Sequence, residues 1–383
     1  MKKSLTALAL GAALLSGSAL AANVEVYGLI DTSLAYVYTD ADHRDRDSDG
    51  EFKLNTGREF GSRVGLRGTE DLGNGTKIGF VLESGFASDT GALEQNGRLF
   101  GREAHIDLRG DWGYVSFGLQ TLFGSVLGEN GLFRAISPLF TNYTEGFGFA
   151  DATASLNTRV DNAVSYRTPT WGGFTGYAMY SFQNDSKATY REGAQTDEGS
   201  ADVDRYASLA ARYQAGGLEA ILVWDTTMYG NSRNTAVKHD DNGMTTTFGG
   251  NYRFATGVKV MAFGQWFRDQ ELARAGVMDD ALTVHGFGGR YGFVDGWGAG
   301  LGLHVPAAGG TAKAMVLVRD MENEKNDEFR RWTVAVGYDY DLSKRTALYA
   351  MAGFSQESME KRDGTVDADP KGGEVVAGIL HRF

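Results

Sequence analysis

The chain has 383 residues, with 53 glycines against 4 prolines, no cysteine, 12% aromatic residues and a formal net charge of −12. The missing cysteines exclude a disulfide framework and a thiolate metal site, and an acidic balance with no basic tract excludes a phosphate-binding nucleic-acid surface. Glycine in excess over proline is not the composition of a disordered linker; it suits a chain of strands, where proline breaks ladders and glycine permits bulges and tight turns.

At the start of the chain, Lys2 and Lys3 precede an apolar run from Leu5 to Leu15 and the small-residue site Ala19-Leu20-Ala21. That is the layout of a secretory signal peptide, so residues 1–21 are read as an export signal and 22–383 as one mature domain. No later apolar stretch is long enough for a membrane helix. Strands are expected at 24–39, 57–70, 75–87, 99–110, 113–120, 159–168, 173–183 and 204–214. They continue at 217–227, 244–254, 257–268, 297–305, 311–320, 330–340, 345–357 and 373–383. Segment 282–293 is also strand-like, but bacterial single-chain barrels have even strand numbers, so it is assigned to an ordered part of a long loop.

Alternation is clearest from Trp332 to Tyr340, where the even positions are large and apolar or aromatic and the odd ones small or polar. Ser62 to Gly68 alternates in the same way, with arginine and glycine on the second face. A sandwich would turn the apolar face inward, whereas a membrane barrel turns it to lipid, and the pattern alone does not choose. Connection lengths do. Short turns (71–74, 111–112, 215–216, 255–256, 306–310, 341–344) alternate with long connections (40–56, 121–158, 184–203, 228–243, 269–296, 358–372). An up-and-down barrel with turns on one rim and loops on the other requires this; a Greek-key sandwich does not. The expectation is all-β: a 16-stranded antiparallel transmembrane β-barrel with an aqueous lumen. The last strand, Glu374 to Phe383, ends on an aromatic residue, and Phe383 is taken as the assembly signal.

Val26-Tyr27-Gly28-Leu29-Ile30-Asp31, the run from Ser62 to Gly75, Arg159 to Tyr166, Tyr338 to Thr346 and the terminal His381-Arg382-Phe383 occur in order along the chain. In these segments the sequence resembles the general trimeric porins of β-proteobacteria, the group that includes the neisserial porins. The resemblance implies an outer-membrane homotrimer among lipid and lipopolysaccharide, delivered by the barrel-assembly machinery and passing ions and small hydrophilic solutes. It also implies short periplasmic turns, long surface loops and an inward-folded third loop. Glu103 departs from the pattern, because relatives often carry paired arginines there.

The longest connection, 121–158, carries Leu122, Phe123, Leu127, Leu132, Phe133, Ile136, Leu139 and Phe140. Either these pack inside the barrel as a constriction, or the loop covers a neighbouring subunit. The same loop offers Glu129, Glu145 and Asp151 as acidic lining. On the wall, alternation turns Arg63, Arg67, Lys77, Arg109 and Arg159 toward the lumen, each with a ladder salt bridge as its alternative role. Cations on the wall facing carboxylates on the loop would set a transverse field that favours polar solutes and biases ions by sign. A modest anion preference is expected from the arginines. Arg102 is ambiguous, since simple alternation places it outside with Ala104.

Asp45 to Gly50 matches the start of a calcium loop, but Thr56 stands where a bidentate glutamate is needed, so a solvated acidic loop is the reading and no metal or cofactor is assigned. Six dispersed histidines without a nucleophile motif argue against catalysis. The alternatives that remain are a substrate-specific channel and a non-conducting adhesin or structural barrel.

Overall fold

The computed structural model describes residues 23–139, 148–154, 159–190, 196–232, 241–271 and 273–383. The export signal expected over residues 1–21 lies outside them, as do Phe140 and Glu145. The described residues form one closed antiparallel barrel. The strands are β1 (Asn23–Asp40), β2 in two segments (Asp49–Thr56 and Arg63–Gly73), β3 (Thr76–Gly85), β4 (Glu103–Gly110), β5 (Gly113–Thr121), β6 (Arg159–Arg167), β7 (Phe174–Ser181) and β8 (Arg205–Ala215). They continue as β9 (Leu218–Met228), β10 (Gly243–Arg253), β11 (Lys259–Gln270), β12 (Val294–Ala307), β13 (Gly310–Asn323), β14 (Glu328–Asp341), β15 (Thr346–Glu360) and β16 (Lys371–Arg382). Each strand pairs with the next, and β16 returns to β1 from Leu29↔Arg382 to Asp40↔Lys371. Closure leaves no open edge, the condition for crossing a bilayer with strands.

The side chains are arranged inside out. Along β14, Trp332, Val334, Val336 and Tyr340 are exposed, whereas Arg331, Thr333 and Ala335 between them are buried. Along β1, Ile30, Leu34 and Tyr36 face out, and Asp31, Ser33 and Ala35 face in. An aliphatic row outside and a polar row inside is the solution for a wall with lipid on one side and water on the other. The sandwich alternative fails on this point.

The sixteen expected strands are present, with two changes at the loop rim. The segment 57–70 was expected as one strand, and 40–56 as a loop. Instead Asp49–Thr56 pairs with the upper half of β1 and Arg63–Gly73 with its lower half. Between them, residues 57–62 fold into the lumen. Asp31 causes the break: its carbonyl accepts the Gly57 N–H at 2.9 Å, and its carboxylate accepts those of Glu59 and Phe60 at 3.0 and 2.7 Å. Gly57 supplies the positive φ of 49° that the turn needs. Phe52 and Leu54 do alternate outward along Asp49–Thr56, but the polar run Asp49-Gly50-Glu51 before them makes the segment read as a loop. At the other end, Asp367–Ala368 pairs back onto β15, which shortens the expected 358–372 loop.

The strand-like segment 282–293 is not a strand. Gly276–Met278 makes a 3-10 turn that leads into the helix Asp279–Val284. This sixth loop turns inward, burying Val277, Met278, Ala281, Leu282 and Tyr291.

Candidate functional site

The described parts of the third loop, residues 122–139 and 148–154, run inside the barrel. Of its eight large apolar groups noted above, all but Phe140 are described, and all of those are buried. Each such side chain contributes about 1.5–3 kcal/mol by leaving water, which makes a solvent-borne loop untenable. Residues 133–139 and 149–154 of the loop lie against the lumen face of β9 to β14, while Gly128 and Asn130 reach back to β4 and β5. Asn251 Nδ2 donates to the Ala135 carbonyl at 2.8 Å, Gln265 Oε1 accepts the Ala154 N–H at 2.8 Å, and His304 meets the Pro138 carbonyl. Phe149 stacks between Phe133 and Phe263, with ring centres 5.0 and 4.4 Å away.

The wall makes room for this with glycine. A Cβ on Gly298 would overlap the Ala152 carbonyl, one on Gly302 would overlap Pro138, and one on Gly249 would lie 2.9 Å from Ile136 Cγ2. The loop therefore beds into a groove in the strands themselves.

Its far end is tied down by charge. Arg331 on β14 reaches Asp151 at 3.4 Å and Glu357 on β15 at 3.2 Å, and donates to the Tyr291 hydroxyl at 2.7 Å. Arg319 on β13 joins Glu357 at 3.0 Å. Third loop, sixth loop and three strands meet in this one buried network. Asp151 lies outside the spanning strands. Burial pushes its carboxyl up from the ordinary aspartate value, while Arg331, Arg274 and Arg319 pull it down.

Opposite the bedded loop the lumen stays open. A cavity of about 630 Å³ is lined by Arg63, Arg67, Arg109 and Arg134 and by Glu25, Glu83, Glu103 and Glu129, with Tyr27 and His105 among them. Arg63 lies 3.7 Å from Glu83, whose carboxylate also accepts from Arg102 at 2.6 Å and from the Tyr27 hydroxyl at 2.9 Å. Arg67 pairs with Glu25 at 2.7 Å, and Arg109 with Asp107 at 2.6 Å. From the third loop, Arg134 donates to the Gly128 carbonyl. Burial and the like charge of Arg212 lower its proton affinity, with Glu129 and Glu103 opposing.

The expected site residues divide accordingly. Arg63, Arg67, Arg109 and Glu129 line this one cavity. Arg159 is on the same wall, its guanidinium donating to the Arg102 carbonyl. Lys77 is exposed one residue into β3, at the turn rim. Asp151 is not acidic lining. It is sealed at 1% exposure under Arg331 on the far wall, because the loop's final turn, Phe149–Ala152, packs against β12 to β14. Arg102 is not outside: β4 begins only at Glu103, so strand alternation does not extend to it, and it is buried at Glu83.

Arg134 went unassigned because loop residues carry no periodicity. Arg319 and Glu357 did have a signal, a charge at a lumen position beside a large apolar residue on the same face, Met321 and Met359.

A model of the Gram-negative porin family matches residues 4–359. An outer membrane porin protein of Bordetella pertussis is 34% identical, and outer membrane porin protein 32 of Delftia acidovorans 33% identical, each over the full length of both chains. A major outer membrane protein of Neisseria gonorrhoeae is 31% identical over 56% of this chain and 59% of its own length. Among solved structures, the anion-selective porin from Comamonas acidovorans superposes with a TM-score of 0.67 at 26% identity, covering 95% of this chain and 100% of its own.

Proposed function

This chain belongs to the Gram-negative porin family, and on that premise we propose that its general-diffusion pore prefers anions modestly, the arginine-lined cavity acting as the constriction. The protein is an outer-membrane porin. The ion preference rests on one observation. The cavity is lined by four arginines and four glutamates, while Arg102, Arg159 and Asp107 lie just behind that lining. Six arginines therefore stand against five carboxylates, a small positive excess at the proposed constriction. Fixed charges there bias permeation by sign. The anion selectivity in the name of the Comamonas porin supports the same direction.

Arg63 and Arg134 would hold a passing anion, with Glu129 beside them on the third loop. Arg67 and Arg109, already paired with Glu25 and Asp107, and Lys77 at the rim would only steer ions. The family and fold support a passive channel with no catalytic step. The proposal includes export by a signal over residues 1–21, assembly as a homotrimer among lipid and lipopolysaccharide, and recognition of the Phe383 end by the assembly machinery. In support of the last, Phe383 and Gly28 exchange backbone hydrogen bonds at 3.1 Å in each direction, closing the barrel seam.

Planar-bilayer recording in a potassium chloride gradient tests the reading. The expected result is stepwise conductance with a reversal potential slightly on the chloride side. A potential on the potassium side, or no conductance from folded protein, overturns it.

A further inference from the structure

The four glutamates of the cavity are not equivalent. Glu25 is neutralised by Arg67, and Glu83 by Arg102 and Arg63. Among the described residues Glu129 forms no ion pair, and it is exposed on the loop, where water and salt screen it. Glu103 is the exception: it is 5% exposed, and among the described residues no arginine or lysine lies within ion-pair distance. Its Oε1 accepts the Thr121 hydroxyl at 2.9 Å, and its Oε2 lies 3.7 Å from His105 Nε2. Arg159, the nearest candidate partner, points its Nε at the Arg102 carbonyl instead. Gly128 of the third loop presses on the carboxylate so closely that a Cβ there would overlap Oε1. The group is thus held in place from both sides, by the wall and by the loop.

We infer that Glu103 is the residue that sets the degree of ion selectivity, an unneutralised carboxylate fixed among Arg63, Arg102, Arg134 and Arg159 that holds their anion preference down. A charge restrained in a water-poor setting acts on passing ions far more strongly than the same charge on a mobile exposed side chain. The arginine cluster alone would make the path strongly anion-selective. With Glu103 in place, cations are admitted as well. This inference rests on the anion-preferring reading above and adds to it the residue that limits the preference.

The test is the reversal potential of E103Q in a potassium chloride gradient at mildly alkaline pH, where carboxyl groups are ionised. E103Q keeps the side-chain size and the acceptor for Thr121. The expected result is a rise in the chloride-to-potassium permeability ratio of about three- to fivefold, with E25Q shifting it much less and E103D restoring the wild-type value. An unchanged potential in folded E103Q overturns the inference, as does an equal shift in E25Q. A wild-type pore on the potassium side would instead sink the anion reading itself, so the two failures are distinguishable. Should E103Q not assemble, R159Q and the double variant E103Q/R159Q replace it. R159Q alone should move the pore toward cations and the double variant should return it to the wild-type ratio; a double variant that stays with R159Q overturns the inference.

Discussion

The lumen wall of β10 to β14 and that of β1 to β6 are built on the same antiparallel ladder, yet the first beds the third loop and the second fronts the arginine-lined cavity. On the first, the inward positions near the third loop include Gly249, Asn251, Gln265, Gly298, Gly302 and Thr333. On the second they include Tyr27, Arg63, Glu83, Glu103, His105 and Arg109. Small or amide groups let a loop approach to backbone distance and satisfy its polar atoms. Charged groups can be covered only where each meets a partner, as Arg331 and Glu357 do, and the remaining arginines front the cavity. Where the constriction lies is therefore encoded in the wall as much as in the loop, and four changes test that division.

The largest effect is expected where the covered wall carries buried charge. In Arg331→Met, Asp151 and Glu357 lose the guanidinium that joins them, and breaking a buried pair on one side costs about 3–5 kcal/mol. Thermal unfolding in detergent, followed by loss of the folded band on unheated gels, should show a large drop, whereas Arg67→Met on the open wall, whose pair with Glu25 is half exposed, should change little. Equal stability losses would erase the distinction between the walls.

Asp151 adds a direction with pH. Burial raises its carboxyl above the ordinary aspartate value, so the folded state holds that proton more tightly than the unfolded chain does. The stabilisation is complete below the ordinary aspartate range and fades as pH rises through the raised value. Mild acid should therefore tighten the third loop's anchor. Protease cleavage within residues 140–158 should be slower in mild acid than in mild alkali, using a protease active in both; faster cleavage in acid would show that ion pairing dominates instead.

Next in size is Gly298→Val. Its side chain would occupy the place of the Ala152 carbonyl, so the loop's final turn must leave its groove while the strand itself tolerates valine well. Single-channel conductance should change by about twofold with added current noise, since lumen substitutions tune the pore without dismantling the barrel. Gly264→Val, which faces Phe248 away from the loop, serves as the control.

These positions also show what the sequence made legible. The even positions of Trp332 to Tyr340 and the alternation of short and long connections carried the barrel and its strand number, because period-two patterning and a two-rimmed topology are local properties. The run Gly296-Trp297-Gly298-Ala299-Gly300-Leu301-Gly302 puts glycine at every inward position, but a glycine records only that something comes close and not what, so the groove is not legible in it. The 57–62 break stayed hidden, since it depends on Asp31, far away in sequence, accepting from Glu59 and Phe60. Asp151 and Arg331 are 180 residues apart, so no spacing argument could pair them. The lumen-facing arginines were readable one strand at a time, while their carboxylate neighbours required the closed barrel.

The smallest effect separates cations within the open wall. Arg63 is largely buried, with 15% of its side chain exposed, so salt reaches it poorly. Lys77 is exposed at the turn rim, where the Debye length falls from about 10 Å at 0.1 M salt to about 3 Å at 1 M. Arg63→Gln should shift the reversal potential toward potassium at every salt concentration. Lys77→Gln should do so only slightly in dilute salt and not at all in concentrated salt. A Lys77 effect that survives concentrated salt would place the selective level at the rim, and the cavity beside the third loop would no longer be the constriction.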